Sequence, residues 1–143
     1  MVRPPVTLEP GDRPPARTVG PLTITDIVRF AGAGGDFNPL HHDVEFAARA
    51  GFPTVLAHGQ LTAGLLAGWV SDLLGVEHLR GFTVRFLAPV FAGDTLTLSG
   101  TVTDIAPAAV GGPDSLATLA VVATKHDGTI AVTGTAHAVV STP

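Results

Sequence analysis

Leu61-Thr62-Ala63-Gly64-Leu65-Leu66-Ala67-Gly68-Trp69-Val70-Ser71-Asp72-Leu73-Leu74 is the stretch that decides the fold. Leu61, Leu65, Leu66, Trp69, Val70, Leu73 and Leu74 cover most of a helical wheel, the pattern of a helix buried on most sides. With Gly75 and Val76 the apolar segment runs from Leu61 to Val76 and spans roughly 24 Å at about 1.5 Å per residue, enough to run along a whole sheet. Asp72 interrupts it, and it falls short of the roughly 20 apolar residues that a membrane span needs.

Downstream of this helix the period changes. Phe82, Val84 and Phe86 alternate with Thr83 and Arg85, and Leu96, Leu98 and Val102 sit among Thr95, Thr97, Thr101 and Thr103. Two further strands are predicted over Leu116 to Thr124 and Ile130 to Val140, joined by the hairpin signal Asp127-Gly128. Gly111-Gly112-Pro113 reads as another turn. Upstream, the lead-in of residues 1–20 holds five of the twelve prolines, with a short strand suggested near Val6 to Leu8. Thr23 or Thr25 is placed to cap a helix over Asp26 to Ala33, with Ile27, Val28 and Phe30 as its apolar contacts and Gly32, Gly34 and Gly35 ending it. Asp43 caps a second short helix that stops at Gly51. Helices first and antiparallel strands afterwards give an α+β class, a sheet wrapped around a long central helix. The 143 residues form one domain, 1–143, with no repeat or linker.

Composition narrows the function. Apolar residues make up 45% and charged residues 14%, which points to a partner subunit covering part of the surface. The formal charge is −4 and no basic block exists, so nucleic acid is not expected as a ligand. There is no cysteine, which excludes disulfides and thiolate chemistry. The N-terminus does not read as a signal peptide, and the expected setting is cytoplasmic, without membrane insertion.

Chemistry concentrates in Gly35-Asp36-Phe37-Asn38-Pro39-Leu40-His41-His42-Asp43. A carboxylate and an imidazole lie five residues apart across a turn constrained by Gly and Pro. Such a pair can take a proton from a water and return one to a carbon, each transfer being worth about 10² to 10⁴ in rate. Asp and Asn also cap turns, and a loop histidine is often merely solvated. Next comes His58-Gly59 at the entrance of the buried helix, where unpaired N–H groups and a partial positive charge await a carbonyl oxygen. A glycine there permits close approach, or simply relieves crowding. Arg85 reads as a solvated charge on the exposed strand face. Its alternative role is a contact to a partner subunit or to an anionic carrier such as a pantetheine phosphate. A metal site would draw on Asp36, His41, His42 and His58, but neighbouring His41 and His42 would point to opposite faces of an extended segment, so no metal is expected.

Three segments together carry a family resemblance: residues 35–41, residues 57–62 (Ala-His-Gly-Gln-Leu-Thr), and Val84-Arg85-Phe86 with Pro89-Val90 and Gly93-Asp94-Thr95. The chain resembles, over essentially its whole length, the MaoC-like dehydratases. These are (R)-specific enoyl-thioester hydratases of hot-dog fold, and single hot-dog members are the most similar. The resemblance implies that Asp36 and His41 hold a catalytic water and that the Gly59 amide binds the thioester oxygen. Asn38, His58 and Gly59 form the implied substrate-binding set, with Asn38 bracing the loop and His58 positioning Gly59. No catalytic role falls to His42, His78, His126 or His137. The implied reaction interconverts trans-2-enoyl and (R)-3-hydroxyacyl thioesters of CoA or an acyl carrier protein, with no cofactor. The implied assembly is a homodimer, or a heterodimer with a sister hot-dog subunit in which this chain is the catalytic member. Two rivals share the fold. One is an acyl-thioester hydrolase, whose acid lies on the central helix where only Asp72 is available. The other is a non-catalytic partner subunit.

Overall fold

The computed structural model describes residues 2–108 and 114–143. Its elements are β1 (Arg17–Val19), α1 (Ile24–Gly34), a 3₁₀ turn (Pro39–His41), α2 (Val44–Arg49), α3 (Gly59–Leu74), a second 3₁₀ turn (Val76–His78), β2 (Leu79–Phe86), β3 (Leu96–Pro107), β4 (Ser115–Lys125) and β5 (Ile130–Val140). The strands form one antiparallel sheet in the order β1-β3-β4-β5-β2, and α3 packs on it. This is the α+β arrangement expected from the sequence.

The central helix begins two residues before Leu61, at Gly59. It buries Thr62, Ala63, Leu66, Trp69, Val70 and Leu74. The sheet meets it with Leu96, Leu98 and Val102 of β3, Leu119 and Val121 of β4, and alternate residues of β5. Each fully buried Leu or Val contributes roughly 1.5–3 kcal/mol. Trp69 donates its indole N–H to the Pro15 carbonyl at 3.1 Å, which ties the N-terminal segment to the helix. Burial is not all-round, however. Gln60, Gly64, Gly68 and Asp72 form an exposed stripe along the helix. Among the described residues no helix is long and apolar enough to cross a membrane.

The helix ahead of the site is capped by Thr23, not Thr25. The Thr23 hydroxyl accepts from the Asp26 N–H, and the Asp26 carboxylate accepts from the Thr23 N–H at 2.8 Å. That backbone bond, then the Thr23 hydroxyl, holds the Asp26 carboxyl below its ordinary pKa. The helix extends one residue beyond Ala33, and Gly35 ends it in the left-handed conformation at φ 73°. Ile27 is fully buried as expected, whereas Val28 turns outward. A six-residue or longer helix exposes its flanks, and Val28 lies on one.

Other differences from the sequence reading have local causes. Val6–Leu8 forms only an isolated parallel bridge, Thr7 to Ser141, and the true first strand is Arg17–Val19, inside the stretch read as lead-in. Three residues at a sheet edge are too few to show an alternation. Phe82, Val84 and Phe86 share one face as read; Phe82 and Val84 are partly buried, and Phe86 stays half exposed where the strand end overhangs the start of α3. Asp127-Gly128 makes the expected hairpin, with Gly128 at φ 87° and the Thr129 N–H bonded to Asp127 at 2.9 Å. The turn read at Gly111-Gly112-Pro113 lies outside the described residues.

The loop between β2 and β3 is fastened by a buried ion pair. Lys125 Nζ stands 2.9 Å from Asp94 Oδ2, with both side chains about nine-tenths buried. Asp94 also accepts from the Phe91 N–H at 2.8 Å, and Lys125 lies over the Phe91 ring. Replacing Lys125 by Met keeps the volume but leaves the Asp94 carboxylate buried without its cation. Urea unfolding should show a loss of about 3–5 kcal/mol, partly recovered in Lys125→Met/Asp94→Asn. An unchanged midpoint for the single variant would refute the fastening role.

Candidate active site

The site is assembled by the turn that leaves α1. Asp36 follows Gly35, and its Oδ1 accepts from the Asn38 N–H at 3.2 Å. Asn38 Oδ1 in turn accepts from the Leu40 N–H at 3.0 Å, capping the 3₁₀ turn whose first residue is Pro39. That turn delivers His41 to the inside. His42 goes the other way, donating to the Phe37 carbonyl at 3.1 Å, and Asp43 caps α2 as expected.

His41 Nδ1 is 2.7 Å from the Leu56 carbonyl. A carbonyl only accepts, so Nδ1 carries the proton and Nε2 is the working nitrogen. Nε2 lies 3.7 Å from Asp36 Oδ2, with the His41 side chain 14% exposed and that of Asp36 59% exposed. The separation is too long for a direct hydrogen bond. It suits two groups that share one small molecule between them, with the aspartate on the solvent side.

His58 lies beneath this pair. Its ring stacks on that of His41 at 3.6 Å and 21°, and Phe30 packs against it at 5.0 Å. Its Nε2–H donates to the Asp36 carbonyl at 3.1 Å. It is therefore a buried prop, engaged with the Asp36 backbone and the His41 ring. Asp36, His41 and His58 do bring potential ligand atoms within 4.8 Å of one another. Stacked rings, however, aim their nitrogens side by side, whereas a metal needs lone pairs that converge at about 2.0–2.1 Å.

Gly59 opens α3 immediately beside this group, so its N–H is one of the helix's unpaired donors and lies at the positive end of the dipole. A Cβ here would lie 3.1 Å from the Phe86 ring, so glycine leaves room between helix start and strand end. A 330 Å³ cavity runs past it, lined by His41, Gly59 and Thr62 on the polar side and by Phe86, Val90 and Val132 among the apolar walls. A larger cavity of 520 Å³ lies along Phe30, Leu61 and Leu65 and does not include the Asp36–His41 pair.

Asp36, His41, His58 and Gly59 meet here, with Asn38 bracing the turn, whereas His42, Arg85 and Asp72 do not. Arg85 is exposed on β2 and does not line the 330 Å³ cavity. Asp72, the acid a hydrolase would need, is bound to Arg17 at 2.8 Å near the far end of α3, roughly 20 Å from Gly59 at 1.5 Å per residue. Three participants carried no sequence assignment: the Leu56 carbonyl, Phe86 as a wall, and the Thr62 hydroxyl. A backbone carbonyl has no sequence signal, and Phe86 and Thr62 stood in the segments of resemblance without a role of their own.

A sheet folded round one helix, with an Asp–His pair facing the open N–H at that helix's start, defines a hot-dog protein equipped for acid/base chemistry. More narrowly, the chain belongs to the MaoC-like domain family, whose model matches residues 6–111. It is 36% identical over 140 residues to the (R)-specific enoyl-CoA hydratase of Aeromonas caviae, covering 96% of this chain and 97% of that protein. Among solved structures, the (R)-hydratase from A. caviae involved in PHA biosynthesis aligns with TM-score 0.78 and 33% identity over 94% of this chain and 97% of that one. The ChsH1-ChsH2 complex from Mycobacterium tuberculosis aligns with TM-score 0.75 and 29% identity over 93% of this chain and 98% of that one.

Asn38→Ala should loosen the turn that sets the Asp36–His41 spacing without touching the core. The expected result is a fall in kcat on the order of 10- to 100-fold, with KM and Tm little changed. A KM effect alone would show that Asn38 contacts substrate instead.

Proposed function

We propose that this chain is a hydro-lyase that interconverts trans-2-enoyl and (R)-3-hydroxyacyl thioesters. The observation that carries the reading is the 3.7 Å gap between His41 Nε2 and Asp36 Oδ2 beside the open N–H of Gly59. A water at hydrogen-bonding distance from both groups fits that gap.

In hydration, the thioester oxygen accepts from the Gly59 N–H, which stabilises enolate character and makes the β carbon electrophilic. The water oxygen bonds to the β carbon while one water proton passes to one member of the pair. The other member gives a proton to the α carbon. The pair thus holds the same number of protons before and after, and both additions fall on one face because both groups hold one water. Each transfer is within the reach of ordinary general acid/base catalysis. The proposal needs no metal or cofactor, since the thioester itself acidifies the α carbon.

The active unit in this proposal is a dimer. Among the described residues strand β2 pairs only with β5, so its other edge is open to a second sheet, and Phe86 and Leu87 at its end are exposed. A second copy or a sister hot-dog subunit can occupy that edge. The Asp36–His41 pair makes this chain the catalytic member in either case.

The test is loss of enoyl absorbance when the purified protein meets crotonyl-CoA and a longer enoyl-CoA, with free thiol followed in parallel. Wild type should hydrate without releasing thiol, and Asp36→Asn and His41→Ala should each lose about 10² to 10⁴ in rate. Thiol release without hydration would replace this reading with a hydrolase. A companion assay after dialysis against EDTA should give an unchanged rate, and a loss restored by added metal would overturn the metal-free mechanism.

A further inference from the structure

The first turn of α3 carries a buried hydroxyl with no partner. Thr62 is 1% exposed, and its Oγ1 has no hydrogen-bond partner among the described residues. A helical hydroxyl ordinarily bonds back to the carbonyl four residues earlier. Ser71, two and a half turns along the same helix, does so, donating to the Ala67 carbonyl at 2.8 Å. The equivalent carbonyl for Thr62 is that of His58, which accepts instead from the Leu61 and Thr62 N–H groups. A buried hydroxyl left in this state costs about 1–3 kcal/mol, and a valine of the same shape would avoid the cost. Stability therefore does not account for Thr62.

Its position supplies a reason. Thr62 lines the 330 Å³ cavity together with Gly59 and His41. Residues three apart on a helix are neighbours, and helical side chains lean toward the N-terminus, so Thr62 leans over the turn that begins at Gly59. Gly59 has no side chain to screen it. The other unpartnered buried atom, His58 Nδ1, is one turn away but is not part of the cavity lining.

We propose that the Thr62 hydroxyl is a second hydrogen-bond donor to the thioester carbonyl oxygen, completing with the Gly59 N–H a two-donor site for the developing oxyanion. This makes Thr62 a catalytic residue, and it rests on the hydratase reading above. A single N–H is a thin cradle for an oxyanion, and a hydroxyl already desolvated and unpaired gives its proton with no bond to break first.

The experiment compares wild type, Thr62→Val and Thr62→Ser. With crotonyl-CoA, Thr62→Val should lose about 10²-fold in kcat while its Tm stays level or rises, and Thr62→Ser should keep most of the rate. The direct readout is the infrared carbonyl stretch of crotonyl-CoA labelled with ¹³C at the carbonyl, bound to Asp36→Asn so that it is not consumed. Its downshift should shrink in Asp36→Asn/Thr62→Val. If wild type does not hydrate enoyl-CoA, the hydratase reading and this assignment fall together. If wild type hydrates and Thr62→Val keeps its rate, only the Thr62 assignment falls. It falls likewise if Thr62→Val is slow but the carbonyl stretch does not move.

Discussion

The site depends on three residues of extended backbone, Val55 to Ala57, held between two loops. On one side the Leu56 N–H donates to the Leu40 carbonyl, and the Leu56 carbonyl accepts from His41. On the other side the Ala57 N–H donates to the Val90 carbonyl, and the Ala92 N–H to the Val55 carbonyl. The segment thus fixes the imidazole, the catalytic turn and the entry point of α3 with respect to one another. Each bond contributes only about 0.5–1.5 kcal/mol net, but together they leave the segment one register. The buried Lys125–Asp94 pair acts through the same framework, because it fastens the loop that carries Val90 and Ala92.

This explains which parts were legible in the sequence. The helix from Leu61 to Leu74, the alternating strands, the Asp43 cap and the Asp127-Gly128 hairpin each follow from a side-chain period or a turn preference. Asp36, His41 and Gly59 were legible as a constellation because a Gly- and Pro-rich turn and a helix start are local events. The connections of Val55–Ala57 were not, since they run through main-chain atoms that any residue supplies. Phe86 shares the face of Phe82 and Val84, as alternation has it, yet stays half exposed, because alternation says nothing of where a strand overhangs its neighbour. Thr62 was legible only as the last residue of the segment 57–62, with no role of its own, since its distinction is a bond it does not make.

The Asp36–His41 pair also straddles a boundary. Asp36 is largely exposed, while His41 is mostly covered and His58 beneath it is buried. The aspartate carboxylate faces solvent, whereas the imidazole lies against a stacked ring and a backbone carbonyl. Solvent contact and geometric restraint thus fall to different members of the pair. Apolar side chains such as Phe37, next to Asp36, and Leu87, in the cavity wall, stay exposed in the single chain, in keeping with its apolar composition.

The strand order has a consequence for how the molecule is made. In β1-β3-β4-β5-β2, the strand that follows α3 directly has, among the described residues, only β5, three strands later in the chain, as its neighbour. At about 5–20 residues per second, a nascent chain carries the greasy helix and an unpaired β2 for roughly a few seconds before their cover arrives. The ribosome delivers the filling before the wrapper, so the birth of this protein is its most vulnerable moment, when other exposed chains compete for the same surfaces.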